Sequence, residues 1–460
     1  MQNTKTSSEE QLDRVLKLLI RSGPMKAKEL CAQLKISQPV FSRLIANKES
    51  ILRIGRGPQT LYACYRLGTW GNPAIPVHLV DEQGVLQQPI ATLHPLAPQG
   101  LYLESHSKIL SSKFYKNIPY FFEDLRPAGF LGRLEPQLYP EHNFPPDITR
   151  WTEDHALTYL TRCGWDLIGN YLIGEQSCEL YIQHKLQRTD VCDEKARAWR
   201  YPEIAQQVLT HGIPGSSAAG EHAKFLAIRK TDNKLIPVLV KFSPPLTDSI
   251  SRRDADLLVC EHIAHNVLRE HKKISAQSQL IWSNKENQQL FLEVERFDRN
   301  TSGGRRGLIS LRALDLEFVG QLQSWSETAE ALLKQKRIPK MTYENIVWLE
   351  VFGKLIGNTD RHHGNISFFC NGENIGPLAP AYDMLPMLYA PQNNQLFGRA
   401  FEPQSPKFAE LPVWNDALLA AHKFWQEVQA HPEISTEFKK LTAGNEAKII
   451  SLSYTSSPYS

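Results

Sequence analysis

The sequence predicts an α+β protein in three consecutive parts. Three observations lead to this class: short helices and strands in a basic N-terminal region, a region rich in prolines and aromatics with alternating strands, and long amphipathic helices around polar motifs near the C-terminus. A chain of 460 residues is long enough for roughly two to four domains with their own cores. We place the three parts at residues 1–67, 68–298 and 299–460.

The composition excludes several classes of protein. The seven cysteines are scattered and form no C-x2-C pair, so neither a zinc ribbon nor a disulfide framework is indicated. The first ten residues are polar, and no apolar run approaches the roughly 18 residues that a membrane span needs. We therefore expect a cytoplasmic protein with reduced thiols and no membrane partner.

The N-terminal part carries an excess of positive charge. Residues 1–66 hold 12 lysines and arginines against 5 acidic residues, a net +7, whereas the rest holds 40 against 44, a net −4. Apolar residues have helical spacing in three short segments, at 11–21, 27–34 and 38–46. They alternate as in strands in two more, at 51–54 and 60–63. This pattern resembles a winged helix-turn-helix of the bacterial regulator type.

DNA is the partner that this resemblance implies. The third helix would lie in the major groove and present Gln38, Ser42 and Arg43 to bases and phosphates. Arg53 and Arg56 would hold the wing on the phosphate backbone. A winged helix that binds protein instead is the alternative, and these residues do not reveal an operator sequence.

Two polar motifs near the C-terminus carry the chemistry. They are Gly357–Asn365 and Ala381–Pro386, in which Asp360 and Asn365 are five positions apart and Asp383 follows Asn365 by eighteen. A protein-kinase-like active site requires this arrangement, because one carboxylate orients the attacking hydroxyl while an amide and a second carboxylate hold Mg²⁺ against the nucleotide phosphates. The alternative for Asp360 is a helix cap or a structural ion pair.

The residues around these motifs predict ordered elements. An amphipathic helix over 343–356 is broken by Gly357, and a short strand follows over 366–369. From Trp414 the chain is helical again, and the tail Ser451–Ser460 is expected to be frayed.

A nucleotide site is predicted upstream of the motifs. Residues 212–224 are rich in small side chains, which let backbone N–H groups approach a phosphate, and we expect contacts there from Ser217, Gly220 and Lys224. Taken alone, this stretch is equally consistent with a flexible linker. The next apolar strand ends near Lys241, which lies 21 residues after Gly220, about the distance from a kinase glycine loop to its phosphate-binding lysine.

Two further elements complete this prediction. The helix over 252–270 offers Glu261 as the partner of Lys241, the alternative being a solvated carboxylate. A strand then runs into Glu295 and Phe297, which occupy the place of a hinge between two lobes, where their backbone groups would meet adenine.

The order of these motifs resembles one family, the HipA-type serine/threonine kinases, which are toxins of bacterial toxin–antitoxin systems. The matching pieces are Ser217–Gly220 with Lys224, Val240–Phe242, Val294–Arg299, Gly357–Asn365 and Tyr382-Asp383. The resemblance implies a two-lobed, protein-kinase-like fold (HipA-like) behind the winged helix. It also implies ATP and Mg²⁺ as cofactors and an unidentified protein as substrate.

The same resemblance implies roles for individual residues. Asp360 would be the catalytic base, His362 would take the place of the histidine in the family's catalytic loop, and Lys241 would bind phosphate. The Mg²⁺ ligands would be Asn365 and Asp383. Ser217 aligns with the loop serine that such kinases autophosphorylate, a modification that ejects the phosphate loop and turns the enzyme off.

One feature departs from the usual family pattern. HipA-type kinases are repressed by a separate DNA-binding antitoxin, whereas here a helix-turn-helix is fused to the kinase-like body. This arrangement is similar to the solitary HipA-like proteins of the YjjJ or HipH type, and it allows inhibition or operator binding in cis. Whether the chain forms a homodimer is left open by the sequence.

Two other classes of function stay open at this point. One is a DNA-binding regulator whose kinase-like body senses a ligand without turnover. The other is a metal-dependent DNA-cleaving toxin, in which a divalent ion that activates water would be bound by Asp360, His362, His363 and Asp383.

Overall fold

Four sheets succeed one another along the chain, and helices pack on each of them. The computed structural model describes residues 8–187, 191–211, 222–283 and 288–455. Ser217 and Gly220 of the predicted phosphate loop lie outside the described residues. No helix in the described ranges is both long enough and apolar enough to cross a membrane.

The head, residues 8–66, consists of three helices and a three-stranded antiparallel sheet of order β1-β3-β2. Its elements are α1 (Ser8–Ser22), β1 (Met25–Lys26), α2 (Ala27–Leu34), α3 (Gln38–Ile45), β2 (Ile51–Ile54) and β3 (Leu61–Cys64). The predicted helices and the two longer strands are confirmed, whereas β1 is an addition, since two residues are too few to show a periodic pattern. Val15, Leu30 and Phe41, one from each helix, are fully buried in a common core.

The middle region, residues 67–187, is built on a five-stranded antiparallel sheet of order β7-β6-β5-β4-β8. Its elements are β4 (Ile75–Leu79), β5 (Ala91–Pro95), β6 (Leu101–Ser105), β7 (Lys113–Tyr115), α4 (Gly129–Leu138), α5 (Glu153–Arg162), β8 (Tyr171–Ile173) and α6 (Glu175–Gln187). The head is attached to this sheet through its backbone: Tyr65 pairs with Leu96, and the N–H of Ala97 donates to the carbonyl of Cys64 at 2.9 Å.

The upper lobe, residues 191–298, contains a second five-stranded sheet, of order β12-β13-β11-β10-β9. Its elements are β9 (Val191–Asp193), α7 (Arg197–His211), β10 (Ala223–Lys230), β11 (Leu235–Phe242), α8 (Ser249–Glu270), β12 (Ser278–Trp282) and β13 (Leu290–Glu295). One face of the sheet packs on α7 through Phe225 and Val240. The opposite face carries Leu292 and packs on α8.

The lower lobe, residues 299–455, is mainly helical. Its elements are β14 (Gly307–Ser310), α9 (Leu311–Phe318), α10 (Trp325–Lys334), α11 (Lys340–Leu355), β15 (Ser367–Asn371), β16 (Asn374–Leu378), α12 (Leu411–Ala430), α13 (Thr436–Thr442) and α14 (Asn445–Thr455). Large aromatic side chains such as Phe352 and Trp425 fill the contact between α11 and α12. The predicted boundaries between the three parts of the chain stay predictions.

The expectation of a frayed tail is wrong for part of its length. Residues 451–455 belong to α14, in which Ile449 is fully buried and Leu452 is 9% exposed. These two apolar residues anchor the helix to the lobe. Residues 456–460 lie outside the described part of the chain.

Candidate active site

Lys241 occupies the centre of the upper-lobe sheet, on the face that is directed toward α8. It lies opposite Lys224 of β10, and its Nζ donates to both carboxylate oxygens of Glu261 at 2.7 Å. The same Nζ forms an ion pair with Asp383 of the lower lobe. Burial alone would lower the pKa of Lys241, but the two carboxylates outweigh burial and raise the pKa, so the lysine stays charged.

Glu261 is the partner of Lys241, as the sequence predicts. It lies on α8 with 1% of its surface exposed, too little for a solvated carboxylate. The start of α8 is fixed by a capping box, in which the side chain of Asp248 accepts the N–H of Ser251 at 2.8 Å. Glu261 also accepts the N–H of Asp383 at 3.2 Å, and it therefore holds both the upper-lobe lysine and the lower-lobe loop.

The loop after α11 presents Asp360 to solvent while its backbone is held from both sides. Gly357 ends the helix in the left-handed region at φ 76°, which suits glycine. The N–H of Asp360 donates to Oδ1 of Asn358 at 3.0 Å, and its carbonyl accepts from Nδ2 of Asn365 at 2.9 Å. The Asp360 carboxylate is exposed, so a substrate hydroxyl can reach it.

Asn358 is a site residue that the sequence analysis missed. Its side chain is fully buried, and its Nδ2 donates to the main-chain carbonyl of Asp383 at 3.2 Å. One amide therefore connects the loop of Asp360 to the loop of Asp383. The feature of the sequence that could have identified Asn358 is its position in the first polar motif, directly after Gly357.

Asn365 and Asp383 supply oxygen donors of the kind that Mg²⁺ prefers. Because Nδ2 of Asn365 is engaged by Asp360, its Oδ1 is left as an acceptor. Burial alone would raise the pKa of Asp383, but Lys241 and Lys224 outweigh burial and lower it, which keeps the carboxylate ionised. Asp383 has a left-handed backbone, with φ 55°. The pair of donors fits Mg²⁺.

The two histidines of the loop have different surroundings. His362 is exposed, and its main-chain carbonyl accepts from Nε1 of Trp325 at 3.0 Å, which fixes the loop against α10. His363 is buried, and its Nε2 lies 2.9 Å from Oγ1 of Thr328. Among the described residues no group of three or more His, Cys, Asp or Glu is arranged to hold a metal ion. His363 is therefore turned toward α10 and not toward Asp383.

The hinge predicted at Glu295 and Phe297 follows β13 directly. The N–H of Glu295 donates to the carbonyl of Gln277 at 2.8 Å, so the predicted contact with adenine is left to the carbonyl of Glu295 and to Phe297. The ring of Phe297 lies 5.7 Å from that of Tyr382, beside Asp383. Tyr382 in turn donates to the carbonyl of Gly364 at 2.7 Å, which ties the second motif to the first.

The predicted site residues thus form two separate groups. Where the two lobes meet, hydrogen bonds, ion pairs and strand pairing connect Lys224, Lys241, Glu261, Asp360, Asn365 and Asp383. Five predicted DNA-contacting residues are all exposed on the head, namely Gln38, Ser42, Arg43, Arg53 and Arg56.

Comparison with known proteins agrees with this architecture. Residues 71–182 match the family model of the YjjJ-like toxin middle domain, and residues 216–440 match the HipA-like C-terminal domain. The toxin YjjJ of Escherichia coli (strain K12) is 35% identical over 436 residues, which cover 94% of this chain and 96% of that protein.

Two solved structures match the chain, and the first of them is similar in fold. The HipA of the Shewanella oneidensis MR-1 toxin–antitoxin system, in complex with HipB and operator DNA, has a TM-score of 0.51 at 17% identity over 82% of this chain and 96% of that one. The Helicobacter pylori proinflammatory kinase CtkA reaches a TM-score of 0.35 at 17% identity over 52% of this chain and 96% of that one, and a similarity at this level supports no conclusion. Since both family models match and a toxin relative aligns over almost its whole length, the chain belongs to the YjjJ-like toxin family, with a HipA-like C-terminal domain.

Proposed function

We propose that the protein is an ATP- and Mg²⁺-dependent serine/threonine kinase that phosphorylates a cellular protein and thereby restrains growth. The observation that carries the proposal is one connected network between the two lobes. In it Glu261 and Asp383 bind Lys241, and Asn358 ties Asp383 to Asp360. Phosphoryl transfer depends chiefly on positioning and on neutralising charge, and this network supplies both.

Asp360 is proposed to orient the substrate hydroxyl and to accept its proton. As the hydroxyl oxygen bonds to the γ-phosphorus, the bond from that phosphorus to the β–γ bridging oxygen breaks, and its electron pair leaves with ADP. The carboxylate is exposed, while Asn358 and Asn365 hold the backbone of the same residue. A fixed backbone keeps the carboxylate close to one attack geometry.

The phosphates of ATP are proposed to bind beside Lys241 and Lys224. These two cations lie opposite each other on neighbouring strands, so they supply positive charge from one face of the sheet. Mg²⁺ held by Asp383 and Asn365 would add charge neutralisation on the transferred group. Adenine would lie toward the hinge, at Phe297 or at the carbonyl side of Glu295, because the N–H of Glu295 is engaged.

Two parts of the proposal concern regulation. Ser217 is proposed as an autophosphorylation site on family resemblance, and it lies outside the described residues. The head is proposed to be a winged helix-turn-helix that binds DNA, on the basis of its basic charge and its exposed α3. The HipA relative of similar fold is itself found in a complex with HipB and operator DNA.

The deciding experiment is phosphate transfer from labelled ATP with Mg²⁺. We expect the wild type to label itself or a lysate protein, and Asp360→Asn to reduce the rate at least about 100-fold, since a positioned base contributes on the order of 10²–10⁴. Asp232→Asn, an exposed aspartate on the turn between β10 and β11, is the matched control and should keep the wild-type rate.

Two results would reject the kinase. ATP binding without transfer by the wild type would indicate a ligand-sensing regulator. Plasmid cleavage without ATP would indicate a nuclease, for which the position of His363 beside Thr328 gives no support.

A further inference from the structure

His222 has a buried ring nitrogen that no described residue engages. It lies immediately before β10, and its Nε2 is shielded from solvent without a hydrogen bond to any residue in the described ranges. Buried polar atoms are almost always paired, so an unpaired one requires a specific explanation. A ligand that enters the protein is one such explanation.

The alternation of β10 places His222 on the side of the sheet that is directed toward α8. Ala223 and Phe225 contribute to the apolar core under α7, so their neighbours His222 and Lys224 are directed to the opposite face. Lys224 lies opposite Lys241 in the strand pairing. The imidazole is therefore on the same face of the sheet as these two lysines.

The charges around the ring agree with this placement. Burial is the largest effect and, together with Lys241 and Lys224, lowers the pKa of His222 to about 4, while Glu261 and Asp383 act in the opposite direction. The ring is thus neutral near pH 7, and one of its two nitrogens carries a proton. A neutral N–H in a site with two lysines adds a directed hydrogen bond without adding charge.

We infer that His222 is a phosphate-positioning residue, whose Nε2–H donates to a phosphate oxygen of the bound nucleotide. This inference rests on the proposed function insofar as the ligand is a nucleotide. The register of the strands indicates that His222 lies near the phosphates of the nucleotide and away from the adenine. Lys241 pairs with Leu292 whereas the hinge residue Glu295 pairs with Val238, three positions or roughly 10 Å along the sheet.

Binding of ATP and of adenosine to His222 variants tests this inference. We expect His222→Ala to weaken ATP binding about 3- to 10-fold, the range for losing one neutral hydrogen bond, and to leave adenosine binding unchanged. His222→Gln keeps a neutral donor and should recover part of the ATP affinity. His106→Ala, just after β6 in the middle region, is the control and should bind ATP like the wild type.

Two outcomes would overturn the inference: wild-type ATP affinity in His222→Ala, or an equal loss for ATP and adenosine. If His222→Ala does not fold, His222→Gln decides: a partial loss of ATP affinity with unchanged adenosine affinity supports the inference, and an equal loss for ATP and adenosine rejects it. A wild type that binds ATP but transfers no phosphate rejects the kinase and leaves this inference standing. A wild type that binds no ATP rejects both.

Discussion

At the scale of single residues, one buried amide fixes two functional loops at once. Asn358 accepts the N–H of Asp360 and donates to the carbonyl of Asp383, and its side chain has no exposed surface. Because the same side chain makes both bonds, a shift of either loop would break a buried hydrogen bond and destabilise the folded protein. Asn358 therefore holds both the loop of Asp360 and the loop of Asp383 in place.

Replacing Asn358 by Ala should lower phosphate transfer more than it lowers stability. We expect kcat to fall roughly 10- to 100-fold, since small displacements of a positioned group are costly, together with a higher Mg²⁺ requirement. Asn345→Ala is the control, because Asn345 lies on α11 and its side chain bonds to Lys273, outside this network. Transfer kinetics at several Mg²⁺ concentrations and thermal unfolding separate the two effects. A lower melting temperature with unchanged kcat and Mg²⁺ dependence would leave Asn358 with a merely structural role.

The sequence predicts the site only where spacing carries the information. Asp360, Asn365 and Asp383 follow from fixed intervals along the chain, and so does Lys241. Asn358 and His222 do not, because their roles depend on contacts that form only after folding. The partner of Asn358 lies 25 residues away in the chain, and the orphan nitrogen of His222 is visible only once burial is known.

At the scale of elements, periodicity predicts the type of a helix better than its ends. The helix predicted over 343–356 is observed as α11, which begins three residues earlier, at Lys340. Its first turn lacks a side-chain cap, so no start signal is present in the sequence. The end of α14, residues 451–455, is not predicted as helical, because this polar stretch gives little periodic signal.

The contact between α4 and α5 predicts a dependence of stability on pH. Burial raises the pKa of Glu135 on α4 from 4.5 to about 7, although a hydrogen bond from Tyr159 on α5 acts to lower it. The folded protein therefore keeps this proton up to about pH 7, whereas the unfolded chain loses it near pH 4.5. Since the folded state binds more protons in this window, its stability falls as the pH rises through it, by at most about 3 kcal/mol.

Glu135→Gln should remove this loss of stability. Thermal unfolding at pH 5, 6, 7 and 8 checks it: relative to the variant, the wild-type melting temperature should decline with rising pH. Glu141→Gln, an exposed carboxylate just after α4, should behave as the wild type does. Parallel pH profiles for wild type and Glu135→Gln would contradict the assignment.

At the scale of the whole molecule, the head is joined to the middle region through shared cores. Ala97 belongs to the core of the head, and Leu96 packs with Ile54 and Ala63 of its sheet. The backbone N–H of Arg66 donates to the carbonyl of Pro95 at 2.9 Å. The sequence does not reveal this joint, because residues 95–97 look like an ordinary turn between two strands. These contacts leave α3 and the loop after β2 exposed. Because they attach the head to the middle region, they also fix the orientation of both elements relative to that region.

Such an arrangement predicts DNA binding that is separable from phosphate transfer. In the full-length chain, Arg53→Ala with Arg56→Ala should weaken binding to duplex DNA and reduce the slope of log K against log[salt] by about 2, since each phosphate contact contributes about 0.9. Lys17→Ala with Arg21→Ala removes the same charge from α1 and should change the slope little.

Both double variants should transfer phosphate like the wild type, and Asp360→Asn should bind DNA like the wild type, because the two groups of residues share no contact among the described interactions. Equal salt slopes for the two double variants would mean that this surface does not contact phosphates, and the head would then be a protein-binding module.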